Sequence, residues 1–399
     1  MRETGNRILL AGGGTGGHLY PGLAVAEAML EARPETAIAF LTTRGALDAE
    51  ILAETPLPAL PIAARPMQKA PWTWPAFLWS LLQAGFQSRR RFRRFCPEVV
   101  IGLGGYGSYP AVRAAQRIGL ATMVLNPDIV PGRANRRLAR RAAIVCCQFA
   151  ETLEYFGAKA RLTGCPIRPS LLGTGRAESL AALGLDRRRR TLLVTGASSG
   201  ARTVNRAVVR MLRQEGLPEA WQVLHLTGSL DYETVAAAYK ELAVPAVVRA
   251  YVHRMGLAYA VADLAVARAG ASTVAELAAA GVPTVFMPYP FHRDQHQMRH
   301  GRAMEMQGAA VVVQDRPKDQ ESTWRDLADA LRPLLKDEVR LAAMRASALR
   351  AARPHAAEAV AEAVFDLADA AARRRQDAIR RDVDNRAPAT YTSTGEATR

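Results

Sequence analysis

"RILLAGGGTGGHLYPGLAVAEAML", residues 7–30, runs from a short apolar stretch through a cluster of glycines into an alanine-rich segment. The apolar stretch reads as a strand and the alanine-rich segment as a helix. The glycines between them form a turn that lets a ligand approach the backbone. Gly12, Gly14 and Gly17 have the spacing of a dinucleotide fingerprint, in which a phosphate rests on the N-terminal N–H groups of the helix. Several phosphate ligands use such a turn, so the remainder of the chain must decide between them.

The same punctuation returns three times, as "GLGGYGS" (102–108), "TGASSGA" (195–201) and "ARAGAST" (267–273). Each copy follows an apolar run and precedes a helical stretch. Further predicted strands are "AIAFLTT", "EVVIGLG", "ATMVLN" and "AAIVCC" in the first half. The second half has "TLLVTG", "WQVLHLTG", "AVVRAYV", "LAVARAG", "PTVFMPY" and "AAVVVQ". Strands alternating with helices predict parallel sheets, and two similar halves predict an α/β protein of two Rossmann-like domains facing a central cleft. The change-over falls at "LTGCPIRPSLLG", where Pro166 and Pro169 interrupt the pattern. The expected division is an N-terminal domain over 1–165 and a C-terminal domain over 166–345. A helical segment over 346–372 should return to the first domain, and a basic polar tail over 373–399 has too little apolar content to fold.

The chain has 399 residues, 49% of them hydrophobic, enough for two cores. Its formal charge of +16 comes from 53 Lys+Arg against 37 Asp+Glu, and only five of the cations are lysines. That excess favours anionic company such as a nucleotide, a phosphate or an acidic membrane surface. No recognition helix or aromatic-basic stacking platform accompanies it, so nucleic acid is not an expected partner. Cys96, Cys146, Cys147 and Cys165 form no Cys-x-x-Cys pair and fit neither a disulfide framework nor a zinc site. With the first strand beginning at once and no apolar run of about 18 residues, the expected location is the cytosol or a membrane surface.

One segment breaks the βα rhythm. "APWTWPAFLWSLLQAGFQSRRRFRRF" (70–95) carries Trp72, Trp74, Phe77, Trp79, Leu82 and Phe86 ahead of Arg89, Arg90, Arg91, Arg93 and Arg94. Rings beside a basic cluster suit an interfacial helix that meets anionic lipid. A core helix followed by a solvated basic turn fits the same letters, and the sequence leaves both readings open.

A dinucleotide site places an acid about 20 residues beyond the glycines. Here Thr42 and Thr43 take that place and Arg44 follows, which disfavours NAD and leaves NADP as an alternative through Arg44. The second half points elsewhere. In "ARAGASTVAELAAAGVPTVFMPYPFHRDQHQ" (267–297), a small-residue loop heads a helix with Glu276 one turn inside it. A carboxylate there can accept hydrogen bonds from both hydroxyls of a ribose. Asp294, His296 and Gln297 in "DQHQ" supply polar groups suited to a sugar. A nucleotide-sugar site opposite a glycine-lined acceptor site describes a glycosyltransferase.

These motifs, with "PGRANRRLA" and "TGCPIR", stand in an order that resembles the peptidoglycan N-acetylglucosaminyltransferases of glycosyltransferase family 28, over about residues 7 to 315. The resemblance implies a GT-B fold and inverting transfer of N-acetylglucosamine from UDP-N-acetylglucosamine, with no cofactor and no metal. It implies an undecaprenyl-linked muramoyl-pentapeptide acceptor at the cytoplasmic face of the inner membrane, where the protein would be peripheral, and a part in cell-wall growth and cell division. A related transferase with another lipid acceptor or sugar is the nearest alternative.

Carried over position by position, the resemblance implies donor contacts from Thr15, Gly16, Gly17, Arg168 and Ser198. Val252 and Met255 would meet the uracil. Ala271, Ser272, Thr273, Val274, Ala275 and Glu276 would hold the diphosphate and ribose, and His296 and Gln297 would read the sugar. The chain departs from the family at "LNPDIVPG": where His-Glu-Gln-Asn is usual it has Leu125, Asn126, Pro127 and Asp128. His300 and Gly301 stand where Asn-Ala is usual, and Cys165 where asparagine is usual. His18, after the glycine loop, is the favoured general base, and Asp128 is the second candidate. His292, His296 and His300 are four residues apart, yet Pro288 and Pro290 put His292 ahead of the helix and no cysteine or spaced carboxylate completes a ligand set.

Overall fold

The computed structural model describes residues 5–384 except 69, 197–199 and 293, with side chains left aside at 375 and 378–384. Its first sheet contains β1 (Arg7–Ala11), β2 (Ala37–Thr42), β3 (Ala59–Pro61), β4 (Val99–Gly102), β5 (Ala121–Asn126), β6 (Ile144–Cys147) and β7 (Ala160–Leu162), in the spatial order β3-β2-β1-β4-β5-β6-β7. The second contains β8 (Arg190–Thr195), β9 (Trp221–Leu226), β10 (Ala246–Arg249), β11 (Ala262–Ala267), β12 (Thr284–Phe286) and β13 (Ala310–Val312), ordered β10-β9-β8-β11-β12-β13. Every pairing is parallel. The inner strands are buried on both faces, which is why they read as unbroken apolar runs. Strands β3 and β7 escape the sequence reading because each is three residues long and partly exposed at a sheet edge.

In a doubly wound sheet the ligand crevice opens where the strand order reverses. That point lies between β1 and β4 in the first sheet and between β8 and β11 in the second. The four glycine-rich turns follow these same four strands, so the fold gathers all of them at two crevices. Helices α1 (Gly16–Ala32), α2 (Trp74–Phe95) and α3 (Gly105–Arg117) belong to the first layer set. Helices α4 (Met255–Val261), α5 (Ala271–Ala279) and α6 (His296–Met306) carry the second domain's share of the site.

The last helix, α7 (Ala356–Asp384), packs on α1 and shares a core with it: Ala357, Val360, Val364 and Ala368 are buried with Ile8, Leu10, Val25 and Met29. Arg33 stacks over Phe365 at 4.2 Å and pairs with Asp369 at 3.3 Å. This helix continues beyond Ala372, into the segment the sequence assigns to the tail, and is described as far as Asp384.

Helix α2 is packed inside out. Its buried stripe is Ser80, Ala84, Ser88 and Phe92 at four-residue spacing, and the first three are small enough to let α3 approach closely. Trp72, just ahead of it, is 81% exposed, and Trp79, Leu82 and Phe86 are 69%, 67% and 70% exposed. Trp74 is exposed as well and Phe77 half-buried. The core-helix reading of these aromatic residues is therefore corrected: Trp72, Trp74, Trp79 and Phe86 face outward, while Ser80, Ala84, Ser88 and Phe92 face the protein.

Candidate active site

In the first glycine turn, Gly13 and Gly14 have φ of 138° and 89°, conformations that favour glycine. A Cβ at Gly13 would stand 2.2 Å from Asp48 Oδ2. The reason is that Asp48 is folded into the turn, accepting N–H bonds from Gly14 at 2.8 Å and Thr43 at 3.1 Å. The first domain's nearest acid thus closes the loop instead of meeting a ribose. Thr15 precedes α1, and the N–H groups of Gly16 and Gly17 lie before its first helical bonds. Proline at position 21 cannot donate to the Gly17 carbonyl four residues back. That carbonyl instead accepts the Ser272 hydroxyl, across the cleft, at 3.4 Å.

His18 sits at this junction. Its Nδ1 is 2.8 Å from Thr15 Oγ1, and its ring lies against the second glycine turn. A Cβ at Gly105 would come within 2.9 Å of His18 Cε1, so the glycine there makes room for the imidazole. Burial lowers its pKa below the usual imidazole value, against the opposing pull of Asp128 and Asp48. The ring is therefore neutral at pH 7. When Nδ1–H donates to Thr15, Nε2 keeps its lone pair.

Asp128 follows β5 with its side chain about one-third exposed. His300 lies beneath it and is fully buried. Its Nδ1 is 2.9 Å from the Ala269 carbonyl, and Ile129 N–H donates to Nε2 at 3.1 Å. Both nitrogens are satisfied only in the neutral tautomer, and burial drives the pKa down to about 4. Asp128 Oδ1 at 3.7 Å from Nε2 therefore makes no ion pair. His300 instead joins the domains, stacking on Phe149 at 4.8 Å. Two departures from the family pattern, Asp128 and His300, are thus neighbours.

The residues expected to hold the donor lie around α4 and α5. Gly270 caps α5, and Val274 N–H to the Gly270 carbonyl is among its first helical bonds. The N–H groups of Ala271, Ser272 and Thr273 precede it, the arrangement that receives a phosphate. Val274 itself is a correction: its N–H is taken and its side chain is buried in the core, so it supports the loop without offering a contact. Ala275 stays partly exposed. Glu276 accepts the Tyr259 hydroxyl at 2.6 Å. Burial raises its carboxyl above the usual range, opposed by that hydrogen bond and by Arg168. Arg168 stacks over Tyr20 at 4.7 Å, and its buried Nε has no partner among the described residues. Met255 begins α4 one turn before Tyr259, and Val252 is half-buried beside it. Ser198 lies outside the described residues.

In the segment expected to meet the sugar, Gln297 Oε1 accepts Tyr289 N–H at 2.9 Å, leaving its amide nitrogen unpartnered among the described residues. The sequence's histidine trio does not form, since His300 is committed elsewhere. His292, Asp294 and His296 gather instead, their ligand atoms within 4.8 Å. They satisfy one another: His292 Nδ1 is 3.0 Å from His296 Nε2, and His296 Nδ1 is 2.8 Å from Asp294. Sequence reasoning missed Tyr259, Asp48 and Gln148, which holds the Ala271 carbonyl at 3.0 Å. Asp48 was findable, five residues past Thr43; nothing in the sequence marks the other two.

Both domains of the chain are similar to known proteins. Residues 8–147 match the glycosyltransferase family 28 N-terminal domain and residues 191–360 its C-terminal domain. A relative from Desulforudis audaxviator named UDP-N-acetylglucosamine–N-acetylmuramyl-(pentapeptide) pyrophosphoryl-undecaprenol N-acetylglucosamine transferase is 36% identical, covering 91% of this chain and 98% of its own. One of the same name from a Nocardioides species is 38% identical, covering 90% and 98%. The crystal structure of Acinetobacter baumannii MurG superposes with a TM-score of 0.70 at 26% identity, covering 90% of this chain and 99% of that one.

Proposed function

The chain belongs to glycosyltransferase family 28, and on that premise we propose that it transfers N-acetylglucosamine from UDP-N-acetylglucosamine to a lipid-linked muramoyl-pentapeptide in peptidoglycan synthesis. The observation that carries the reading is the pairing of two phosphate-competent crevices across one cleft, touching at Ser272 and Gly17. The NADP alternative loses its footing, because Asp48 fills the first turn and Arg44 faces a different cavity.

In the proposed chemistry the acceptor hydroxyl attacks the anomeric carbon in line. The bond from that carbon to the diphosphate breaks, UDP leaves, and the hydroxyl proton passes to His18 Nε2. The N-terminus of α5 and Arg168 receive the charge that develops on the diphosphate. Glu276 accepts the ribose hydroxyls, Met255 and Val252 border the uracil, and Gln297 with His296 meets the sugar. Asp128 is the second candidate base.

Membrane attachment belongs to the same proposal. Among the described residues no helix is long and apolar enough to cross a membrane. The outward rings of α2 and the arginines after them suit a peripheral seat on an anionic inner-membrane face. The test is transfer of labelled sugar to lipid-linked muramoyl-pentapeptide, run beside diacylglycerol as acceptor and beside UDP-glucose as donor. Preference for either competitor would replace the acceptor or donor named here.

A further inference from the structure

The proposed chemistry uses His296 but gives no work to His292 and Asp294 beside it. Gln295 brings the three together. Its φ of 48° is left-handed, uncommon for a residue other than glycine, and its N–H donates to the His292 carbonyl at 3.1 Å. This turn sets His292 against His296, the first residue of α6. The ligand atoms of all three side chains come within 4.8 Å of one another, so Asp294 supplies the carboxylate that the histidine spacing lacks. Its Oδ1 accepts His296 Nδ1–H at 2.8 Å, which fixes the tautomer and leaves the lone pair on Nε2. That Nε2 is 3.0 Å from His292 Nδ1, and one proton shared between the two nitrogens holds the rings together. Tyr289 braces the His292 ring in an edge contact at 4.7 Å.

Two nitrogen ligands of a tetrahedral zinc ion, with bonds of about 2.0 to 2.1 Å, stand about 3.3 Å apart. The His292–His296 nitrogens are about 0.3 Å short of that span. A zinc ion can take the place of the shared proton, with His292 keeping its own proton on Nε2. Asp294 then backs His296 as the carboxylate of a carboxylate–histidine–zinc set, and water fills the other positions. Paired imidazoles favour zinc over magnesium and calcium, which take oxygen ligands. The pair borders the cleft, since the His296 ring is 5.6 Å from that of His300, which lies beneath Asp128. We propose that His292 and His296, backed by Asp294, bind zinc, and that the bound ion excludes the donor's sugar from the cleft. The exclusion rests on the reading that His296 meets that sugar. The ion is an inhibitor, with no part in the transfer.

Full-length protein stripped with EDTA is titrated with zinc chloride by calorimetry, and with cobalt(II), whose visible absorption reports tetrahedral ligation. H355Q is the matched control, because it removes an exposed histidine that pairs with a carboxylate, Glu358, at 3.5 Å. H292Q should lose zinc affinity by about a hundredfold and D294N by about tenfold, with H355Q unchanged. With free zinc held constant by a chelating buffer, UDP-N-acetylglucosamine should bind the wild type about tenfold more weakly, while UDP binds as before. H292Q should show no such weakening and should keep wild-type transfer in EDTA. Equal zinc affinity in the wild type and H292Q would overturn the site. Equal weakening of UDP and UDP-N-acetylglucosamine would also overturn it, placing the ion at the diphosphate. Zinc bound through His292 without any effect on UDP-N-acetylglucosamine would overturn the exclusion. A wild type that binds zinc but no UDP-N-acetylglucosamine in EDTA would instead remove the donor reading, while the H292Q titration still decides the site.

Discussion

Tyr259 and Glu276 carry the donor account at the scale of single residues. The 2.6 Å bond from the phenol fixes one carboxylate oxygen of a group whose burial already favours its protonated form. Glu276→Ala should weaken UDP-donor binding by about 2 to 3 kcal/mol, as calorimetry would read it. Tyr259→Phe should lower donor affinity about tenfold with little change in kcat, and should move the acid limb of donor binding to higher pH, because the carboxylate loses a donor. An unmoved limb would make Tyr259 a packing residue only. His18→Ala should lower turnover on the order of a hundredfold with donor affinity kept, whereas Asp128→Asn should keep most activity; the reverse order would make Asp128 the base. Because burial depresses the His18 pKa, the acid limb of turnover should fall below the usual imidazole value. His18 and Glu276 were legible because each sits at a fixed offset from a glycine turn. Tyr259 was not, since its partner comes from another helix.

Helix α2 is the element whose existence could be read from the letters but whose orientation could not. Its inward stripe of Ser80, Ala84 and Ser88 looks solvent-facing to any hydropathy reading, while Trp79 and Phe86 look like core. What decides is the close approach to α3, which only small side chains permit. Replacing Trp79, Leu82 and Phe86 together with serine should leave melting temperature and donor affinity nearly unchanged while reducing binding to anionic vesicles. Ala84→Leu should do the opposite, costing about 1 to 3 kcal/mol by overpacking a fully buried contact. A drop in stability from the serine variant would return those rings to the core. The inner strands were legible for the converse reason, since parallel strands buried on both faces leave continuous apolar runs.

Across the whole molecule, the repetition of four glycine turns was enough to read two Rossmann-like halves, because each turn follows a strand at the point where its sheet reverses order. The contacts that hold the halves together could not be read, as they join distant residues: His300 to Ile129, Gln148 to Ala271, Ser272 to Gly17. Two buried histidines give the assembled fold a pH signature. Burial pushes His225 down to about 3 and His300 to about 4, against about 6.5 in the unfolded chain. Each contributes stability that is present above about pH 6.5 and is lost as pH falls toward its folded value, at about 1.4 kcal/mol per pH unit. Denaturant melts between pH 7 and 4 should show this slope, and His225→Gln should flatten it. In the proposed chemistry this cleft moves a sugar between a nucleotide and a lipid using its own helix termini and His18. Its most direct test is a single-turnover assay in excess EDTA, with labelled UDP-N-acetylglucosamine and lipid-linked muramoyl-pentapeptide. The wild type should give labelled lipid product and one UDP per transfer, with His18→Ala slowed on the order of a hundredfold. Folded wild-type protein that binds UDP yet transfers nothing to this acceptor, or transfers only when a divalent metal is restored, would contradict it.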